Sequence, residues 1–339
     1  MNNFLKNTVF CILCLFLSNH LFGQLSEPKD NMEGVKTLNI YLYKVYDVET
    51  KKDEVTFYKK AKTIAHSLFE YDTNGNQILH NYYHQETDKV QESYVYEYDS
   101  NNRMTQETYV LQGQTLGGKT IYTYNKQGKI FQTAVYSNKN EIKSLLISEY
   151  DSIGNLVAES SRNVTGTMLK EIRYRYDERN NLVEKKNIQT ILKNNEPYRE
   201  TQSFDDSNRL IIKTRYDDKD SLIWQYTAKY DEKNRLIEEE TKDGKGKVTA
   251  YSTYIYDKND LMILSYNFDV LKKIPPMRIE YKYDKKGLNT LRYIYLADSK
   301  TPTTTKRYYY DEKGNWYMWY EINHTDNIQA IANRKITYF

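Results

Sequence analysis

A chain of 339 residues with a net charge of only +3 lacks the basic excess of proteins that bind nucleic acids through a charged surface. Tyrosine is unusually abundant, with 35 residues, although 28% of the chain is charged, and this aromatic content excludes a disordered chain. The polarity indicates a thin core, in which tyrosine supplies buried area and keeps its hydroxyl near water.

Residues 1–23 are predicted to be a secretory signal peptide. Lys6 supplies the positive start, residues 8–17 form the apolar run, and Gly23 is the small residue before the predicted cleavage point. The alternative is a membrane anchor, but the apolar run is short for a bilayer span.

Both cysteines, Cys11 and Cys14, lie inside this apolar run. The residue directly before each is large, Phe10 and Leu13, so neither is expected to be lipidated. Without the signal, the chain has no cysteine for a disulfide, a zinc–thiolate site or a nucleophile. The sequence therefore predicts a secreted, periplasmic or cell-surface protein that depends on sheet hydrogen bonds and side-chain packing.

Residues 24–60 are predicted to be a lead-in followed by a degenerate N-terminal cap repeat. Residues 38–43 alternate in the manner of a strand, and Tyr46-Asp47 lies 25 residues before the next Tyr-Asp pair. This first pair lacks the Gly or Asn that follows in later copies. Repeat arrays need such caps to cover an open end.

Residues 61–339 contain ten copies of one motif: an aromatic residue, Asp or Asn, two free positions, and then Gly, Asn or Asp. Successive copies are 26 to 28 residues apart, which is typical of a repeat architecture. The aromatic residues that begin the copies are Tyr71, Tyr98, Tyr124, Tyr150, Tyr176, Phe204, Tyr230, Tyr256, Tyr283 and Tyr310.

Each copy is predicted to be a β-hairpin, as the copy that begins at Tyr150 illustrates. A strand ends at Tyr150, residues 151–155 turn, residues 156–162 run back, and residues 163–166 turn again. Asp151 is expected to accept a hydrogen bond from the backbone N–H two residues on, as in a type I turn. The residue four places after each aromatic tolerates positive φ, so each first turn is predicted to contain a left-handed bulge.

An aromatic ladder and an apolar row are expected to close the hairpins into this thin core. The residue six places after the aromatic is usually apolar and faces it across the hairpin, and the residue two places before shares its face. The ladder residues at this preceding position are Phe69, Tyr96, Tyr122, Tyr174, Tyr254, Tyr281 and Tyr308. The alternative is that the ladder lines an open groove and stacks on sugar rings.

The second turns differ from copy to copy, and two of them contain proline, at Pro275-Pro276 and at Pro302. One rim of the array is therefore uniform and the other is diverse. Since function concentrates in variable loops on a fixed scaffold, a binding site is expected on the diverse rim. The alternative is drift on a solvated edge.

The motif resembles the signature of the YD-repeat (RHS-repeat) family, Tyr-x-Tyr-Asp followed by x-x-Gly-Arg-Leu or a near variant. Residues 96–104, 174–182, 281–284 and 308–311 carry the likeness, which covers residues 69–339. The resemblance implies an all-β fold of tandem β-hairpin repeats forming one long, coiling antiparallel sheet. Large members form a shell around a toxin domain. This chain shows neither that domain nor an Asp-Pro-x-Gly core segment, so the resemblance implies a small secreted member.

No residue set stands out as a catalytic, cofactor or metal site. His80 and His84 share a strand face but are expected to lie about 13 Å apart, too far for one ion, and His66 and His324 are isolated. Residues 72–76 resemble part of a calcium loop without the Glu that an EF-hand needs at position 12. The chain has no nucleophile elbow, phosphate loop or dinucleotide fingerprint.

These observations predict a secreted or cell-envelope repeat scaffold that binds a protein or a glycan and has no catalytic activity. Neither a cofactor nor a nucleic-acid partner is expected. A transmembrane β-barrel is not expected after signal cleavage, because Thr337, Lys335 and Asn333, on the face of Phe339, are polar. Two alternatives remain: a carbohydrate-binding module that uses exposed tyrosines, and an enzyme without a recognised motif.

Overall fold

The computed structural model describes residues 32–51, 54–111, 115–190, 196–324 and 329–339. The predicted signal peptide and both cysteines lie outside these residues. Within the described ranges, no helix has the length and hydropathy needed to cross a bilayer. The strands are β1 (Val35–Lys51), β2 (Glu54–Tyr71), β3 (Gln77–Tyr83), β4 (Val90–Tyr98), β5 (Met104–Leu111), β6 (Thr115–Tyr124), β7 (Ile130–Ser137), β8 (Ile142–Tyr150), β9 (Leu156–Arg162), β10 (Met168–Tyr176), β11 (Leu182–Thr190), β12 (Tyr198–Phe204), β13 (Leu210–Tyr216), β14 (Leu222–Tyr230), β15 (Leu236–Asp243), β16 (Val248–Tyr256), β17 (Met262–Asp269), β18 (Ile274–Tyr283), β19 (Asn289–Leu296), β20 (Thr304–Tyr310), β21 (Trp316–Asn323) and β22 (Gln329–Tyr338).

The strands belong to one 22-stranded sheet whose first and last strands pair with each other. Thr37 of β1 lies opposite Glu70 of β2 on one side and opposite Thr337 of β22 on the other. The hairpin repeats are therefore confirmed, but the expectation of an open, coiling sheet is wrong, because the sheet is closed. Closure pairs the backbone N–H and C=O groups that two open edges would leave exposed.

The chain divides into two compact units: unit 1 comprises residues 1–93 and 250–339, and unit 2 comprises residues 94–249. Unit 1 has three clusters of buried side chains, which include Ile279, Tyr320 and Trp319 respectively. The buried apolar side chains described in unit 2 are Ala134, Ile172, Tyr198 and Ala228. The predicted thin core therefore describes unit 2, whereas large aromatic and aliphatic side chains give unit 1 a thicker one.

The first turns have the hydrogen bonds that their sequence predicts. In the copy that begins at Tyr150, the Asp151 carboxylate accepts the backbone N–H groups of Ile153 at 3.1 Å and Asn155 at 2.8 Å. The Gly154 N–H donates to the Asp151 carbonyl at 3.2 Å. The bonds to the carboxylate, with that from the Asn155 N–H first, lower the pKa of Asp151 because they stabilise its ionised form.

The left-handed bulge is also confirmed in every copy. The residues four places after the aromatic have φ between 58° and 93°, and they are Gly75, Asn102, Gly128, Gly154, Asn180, Asn208, Asn234, Asp260, Gly287 and Gly314. A register shift accompanies the turn, so that Tyr150 lies directly opposite Leu156 across the hairpin. Turn chemistry therefore brings the motif's aromatic and apolar residues together.

Replacing Gly154 with Val tests this backbone requirement. The φ of Gly154 is +93°, and the atom nearest to an added Cβ would be the flexible Lys129 side chain at 3.5 Å. The cost is therefore mainly the left-handed conformation, and Gly154→Val is expected to lower the free energy of unfolding by about 1–2 kcal/mol. Urea denaturation measures the loss, with Gly154→Asn as the milder control. Equal stability of wild type and the Val variant would refute the assignment.

The turn tyrosines also join successive copies. The Tyr150 hydroxyl donates to the backbone carbonyl of Ile130, 2.8 Å away in the preceding hairpin. The same bond, to a carbonyl 20 or 21 residues earlier, is made by Tyr124, Tyr176, Tyr230, Tyr283 and Tyr310. The repeated tyrosine is therefore both a core residue and a hydrogen-bond donor that holds neighbouring hairpins in register.

Candidate functional site

Several second turns fold alike although their sequences differ. The turns that begin at Ser137, Asn163, Asp217 and Asp243 have the same backbone hydrogen bonds and positive-φ position as the first turns. Three other turns depart from this pattern, at residues 84–89, 270–273 and 297–303. The described second turns therefore vary less in backbone structure than in sequence. Two of the three exceptions, at residues 270–273 and 297–303, lie in consecutive hairpins.

Two adjacent prolines interrupt the sheet beside one of these turns. Pro275 and Pro276 have no backbone N–H to donate, and the pairing of β18 with β17 is irregular between Met277 and Ile274. The Pro276 carbonyl instead accepts the N–H of Ala297 at 2.7 Å. The prolines therefore weaken one ladder and join the loop after β19 to the start of β18.

An open groove of about 560 Å³, which we call the β16–β19 groove, lies beside these prolines in unit 1. Its volume is in the range of small-ligand sites, about 300–1,000 Å³. The lining residues are Tyr251, Tyr266, Asn267, Phe268, Pro276, Met277, Arg278, Ala297, Asp298, Ser299 and Lys300. The groove therefore lies on the diverse rim, where a binding site was expected.

Aromatic side chains of two neighbouring strands line one part of the groove. Tyr251 lies opposite Phe268 in the sheet, with ring centroids 6.3 Å apart, and Tyr266 on the same face of β17 is 44% exposed. These residues lie on the face of β16 and β17 opposite that of Tyr254. The ladder pattern does not predict these residues, although Tyr251, three residues before Tyr254, is out of step with the ladder in the sequence.

A cation lies beside the exposed aromatic ring. Arg278 is directly opposite Tyr266 on one side and Tyr295 on the other, and its guanidinium lies 4.0 Å from the Tyr295 ring centroid. Arg278 Nη2 is 3.5 Å from Glu280 Oε1. The pKa of Tyr295 is raised, first by burial and then by the Glu280 charge. The groove thus combines an exposed aromatic face with an oriented guanidinium.

The aromatic ladder itself is not an exposed surface. Tyr281 and Tyr308 are buried, and the five other ladder residues are half-buried. The Tyr174 hydroxyl is bonded to Glu159, and burial raises the pKa of Tyr174. The ladder rings are thus partly or fully covered, so more exposed aromatic residues offer the better stacking surface.

The histidine pair weighed for metal binding is split between two environments. His80 is buried on β3, with ring centroids 3.9 Å from Phe69 and 4.1 Å from Tyr82. His84 is exposed in the following turn. Within the described part of the chain, no group of three or more His, Cys, Asp or Glu side chains is arranged to hold a metal ion. The absence of a metal remains a prediction.

His66 is isolated from other histidines in the sequence, but in the structure its ring contacts two tyrosines and a carboxylate. Its ring is stacked between Tyr41 and Tyr83, with centroids 4.1 and 4.0 Å away. Its Nδ1 atom is 2.7 Å from the Asp88 carboxylate in the 84–89 turn. His66 therefore holds this irregular turn against the sheet.

The segment that resembles a calcium loop uses its carboxylate for the turn. Asp72 Oδ1 accepts the N–H groups of Asn74 and Asn76 at 2.9 and 2.8 Å, and Oδ2 accepts the Asn76 side chain at 2.9 Å. The Asn76 side chain is the first cause of the lowered pKa of Asp72. Turn formation therefore accounts for this Asp.

No family model and no curated protein matches this chain. Among solved structures, it is similar to the crystal structure of TcdB2-TccC3, with 14% identity, a TM-score of 0.41 and coverage of 81% of this chain and 16% of that one. It is also similar to a porin-like protein from Bacteroides uniformis ATCC 8492, with 11% identity, a TM-score of 0.31 and coverage of 89% and 98%.

A porin-like protein from Bacteroides vulgatus ATCC 8482 matches with 12% identity and a TM-score of 0.22, with coverage of 88% and 97% of the two chains. The chain spans less than a fifth of the TcdB2-TccC3 chain that it matches. Likenesses of this strength identify neither a family nor an activity. The β16–β19 groove is therefore the candidate site on the geometry of its own residues.

Proposed function

We propose that this protein is a glycan-binding scaffold of the cell envelope, without catalytic activity, and that the β16–β19 groove is its binding site. The observation that carries the proposal is the exposed Tyr266 ring, placed beside Tyr251, Phe268 and Arg278. Aromatic rings stack on the apolar faces of sugars, while amide, hydroxyl and charged groups bond their hydroxyls. The 298–300 loop, with Asp298, Ser299 and Lys300, supplies such polar groups.

The proposal includes membership of the YD-repeat family and secretion. The repeated motif, the hydrogen-bonded Asp turns and the bulge of positive φ support the first. The signal-peptide prediction for residues 1–23 supports the second. A secreted, periplasmic or surface location would place the groove where polysaccharides are abundant.

The sheet faces of unit 2 support contact with water rather than lipid. Lys213 and Glu200 form an ion pair of 3.2 Å on one face, and Lys229 and Glu238 form one of 2.8 Å on the other. A strand that faces lipid needs one apolar face. We therefore propose that the protein associates with the envelope without spanning its membrane.

Binding to a glycan array tests this function, followed by titration of the best ligand with the full chain. Tyr266→Ala is expected to weaken binding about tenfold, equivalent to about 1.4 kcal/mol, because it removes the exposed stacking surface. The matched control is Tyr317→Ala, which removes a tyrosine of similar exposure, 42%, from β21 outside the groove lining.

Equal weakening by both variants would contradict the assignment of the groove. Failure of the wild-type chain to bind any glycan, together with capture of an envelope protein by the wild type but not by the Tyr266→Ala variant, would favour the protein-binding alternative. Release of a cleaved sugar during titration would favour the enzyme alternative over a binding scaffold.

A further inference from the structure

The β16–β19 groove and its adjoining turn carry more positive than negative charge. The lining contributes Arg278 and Lys300 against Asp298. The turn at 270–273 adds Lys272 and Lys273, both exposed. An excess of cations near a groove raises the local concentration of anionic ligands.

Two of the three acids near the groove, Asp269 and Glu280, have partners within the protein. Asp269 accepts the Lys272 N–H at 2.9 Å and lies 3.3 Å from its ammonium group. Glu280 is shared between Arg278 and the Tyr295 hydroxyl. With four cations and three acids, the groove and its adjoining turn keep a small positive charge.

The Arg278 guanidinium has donors left for a ligand. Its distance of 3.5 Å to Glu280 exceeds the roughly 2.7–2.9 Å of a charge-assisted hydrogen bond. Stacking on Tyr295 fixes its plane, and its place opposite Tyr266 puts it next to the exposed ring. A planar fork oriented in this way matches the two oxygens of a carboxylate.

The Lys300 backbone is also held in place before a ligand arrives. In its loop, the Ala297 N–H donates to the Pro276 carbonyl at 2.7 Å and the Ser299 N–H to the Leu296 carbonyl at 3.1 Å. An anchored loop loses less conformational freedom on binding than a free one. The loop that carries Lys300 into the groove lining therefore needs little further ordering when a ligand binds.

We infer that the ligand of the β16–β19 groove is an acidic saccharide of the uronic acid class, stacked on Tyr266 and held through its carboxylate by Arg278 and Lys300. This inference rests on the proposed glycan-binding function. It deepens that function because it names the chemical group that the groove selects.

Titration of the full chain with a polyuronate, and with the methyl ester of the same polymer, tests the inference. Polygalacturonate and its fully methyl-esterified form share a backbone and differ in the carboxylate charge. The wild type is expected to bind the acid at least about tenfold more tightly at low salt, and added salt should reduce the difference.

Arg278→Gln and Lys300→Gln should each weaken binding of the acid more than binding of the ester, because only the acid loses a carboxylate contact. Lys300 is exposed on a loop, so its variant keeps the test valid if Arg278→Gln affects folding. The matched control is Lys282→Gln, which removes a positive charge from the same face of β18 outside the groove.

Equal affinity for acid and ester, or insensitivity to both variants, would overturn the inference and leave the proposed function standing. Binding of neither polymer nor any other glycan by the wild type would instead remove the proposed function. If Lys282→Gln weakened binding of the acid as much as Arg278→Gln, the effect would come from the overall charge of the protein. That result would also overturn the inference.

Discussion

Between pH 6.5 and pH 4 the protein is expected to lose about 2–3 kcal/mol of folding stability through His80 alone. Burial lowers the pKa of His80 from 6.5 to about 4. The side chain is only 8% exposed and lies between Phe69 and Tyr82. Because an imidazolium is poorly solvated there, the folded chain resists the proton that the unfolded chain accepts.

The sign and the pH window follow from the lowered pKa. Stability is complete above pH 6.5, falls as the unfolded chain begins to bind a proton that the folded chain excludes, and levels off below about pH 4. The turn aspartates change the folding stability over a different pH range. The pKa of Asp151 is lowered from 3.8, so its contribution is lost only at more acidic pH.

Urea denaturation at pH 7.5, 5 and 4, monitored by tryptophan fluorescence, measures this loss of stability. His80→Phe keeps an aromatic ring in the stack and should flatten the stability profile between pH 6.5 and 4. His84→Gln is the control, because His84 is exposed and should leave the wild-type profile unchanged. A His80→Phe profile as steep as that of the wild type would show that another group is responsible.

Gly244→Ala is expected to lower the free energy of unfolding by about 3 kcal/mol, at the upper end of overpacking effects. A Cβ added at Gly244 would lie 2.1 Å from the Leu222 carbonyl oxygen and 3.1 Å from the Leu222 carbonyl carbon. Both atoms belong to the backbone of β14, so relief requires moving a strand rather than a side chain. The turn that begins at Asp243 therefore packs directly on the backbone of β14 at Leu222.

Gly246 in the same turn provides a matched comparison. Its φ is +84° and no atom lies within 4 Å of an added Cβ. Gly246→Ala should therefore cost about 1–2 kcal/mol from conformation alone, less than Gly244→Ala. Denaturant melts of the two variants separate contact from conformation, and the reverse order of stability would contradict the packing of this turn on Leu222.

The first turns could be predicted almost residue by residue because their physics is local. Asp151 and Gly154 interact within five residues of sequence, and the carboxylate bonds and positive φ depend on little else. The pairing of Tyr150 with Leu156 follows from the same turn. The bond from the Tyr150 hydroxyl to Ile130 was not predicted, since it joins separate hairpins.

The candidate site could be predicted only in outline. Pro275 and Pro276 marked an unusual second turn, and the diverse rim was the expected location. Which aromatics are exposed depends on the face that each occupies, and that depends on strand register. Tyr266 and Tyr254 differ in exposure because they lie on opposite faces of the sheet, which the repeat pattern does not reveal for Tyr266.

The sequence by itself determined the repeating hairpin, its turn geometry and the absence of cysteine after residue 23, because these depend on composition and on contacts within a few residues. Only the tertiary structure decided that the sheet closes, since Thr37 and Thr337 pair across the whole chain. It likewise decided that the β16–β19 groove gathers Tyr251, Tyr266 and Arg278. The pairing of β17 with β18 brings Tyr266 opposite Arg278, and the repeat pattern does not specify the irregular turn that joins these strands.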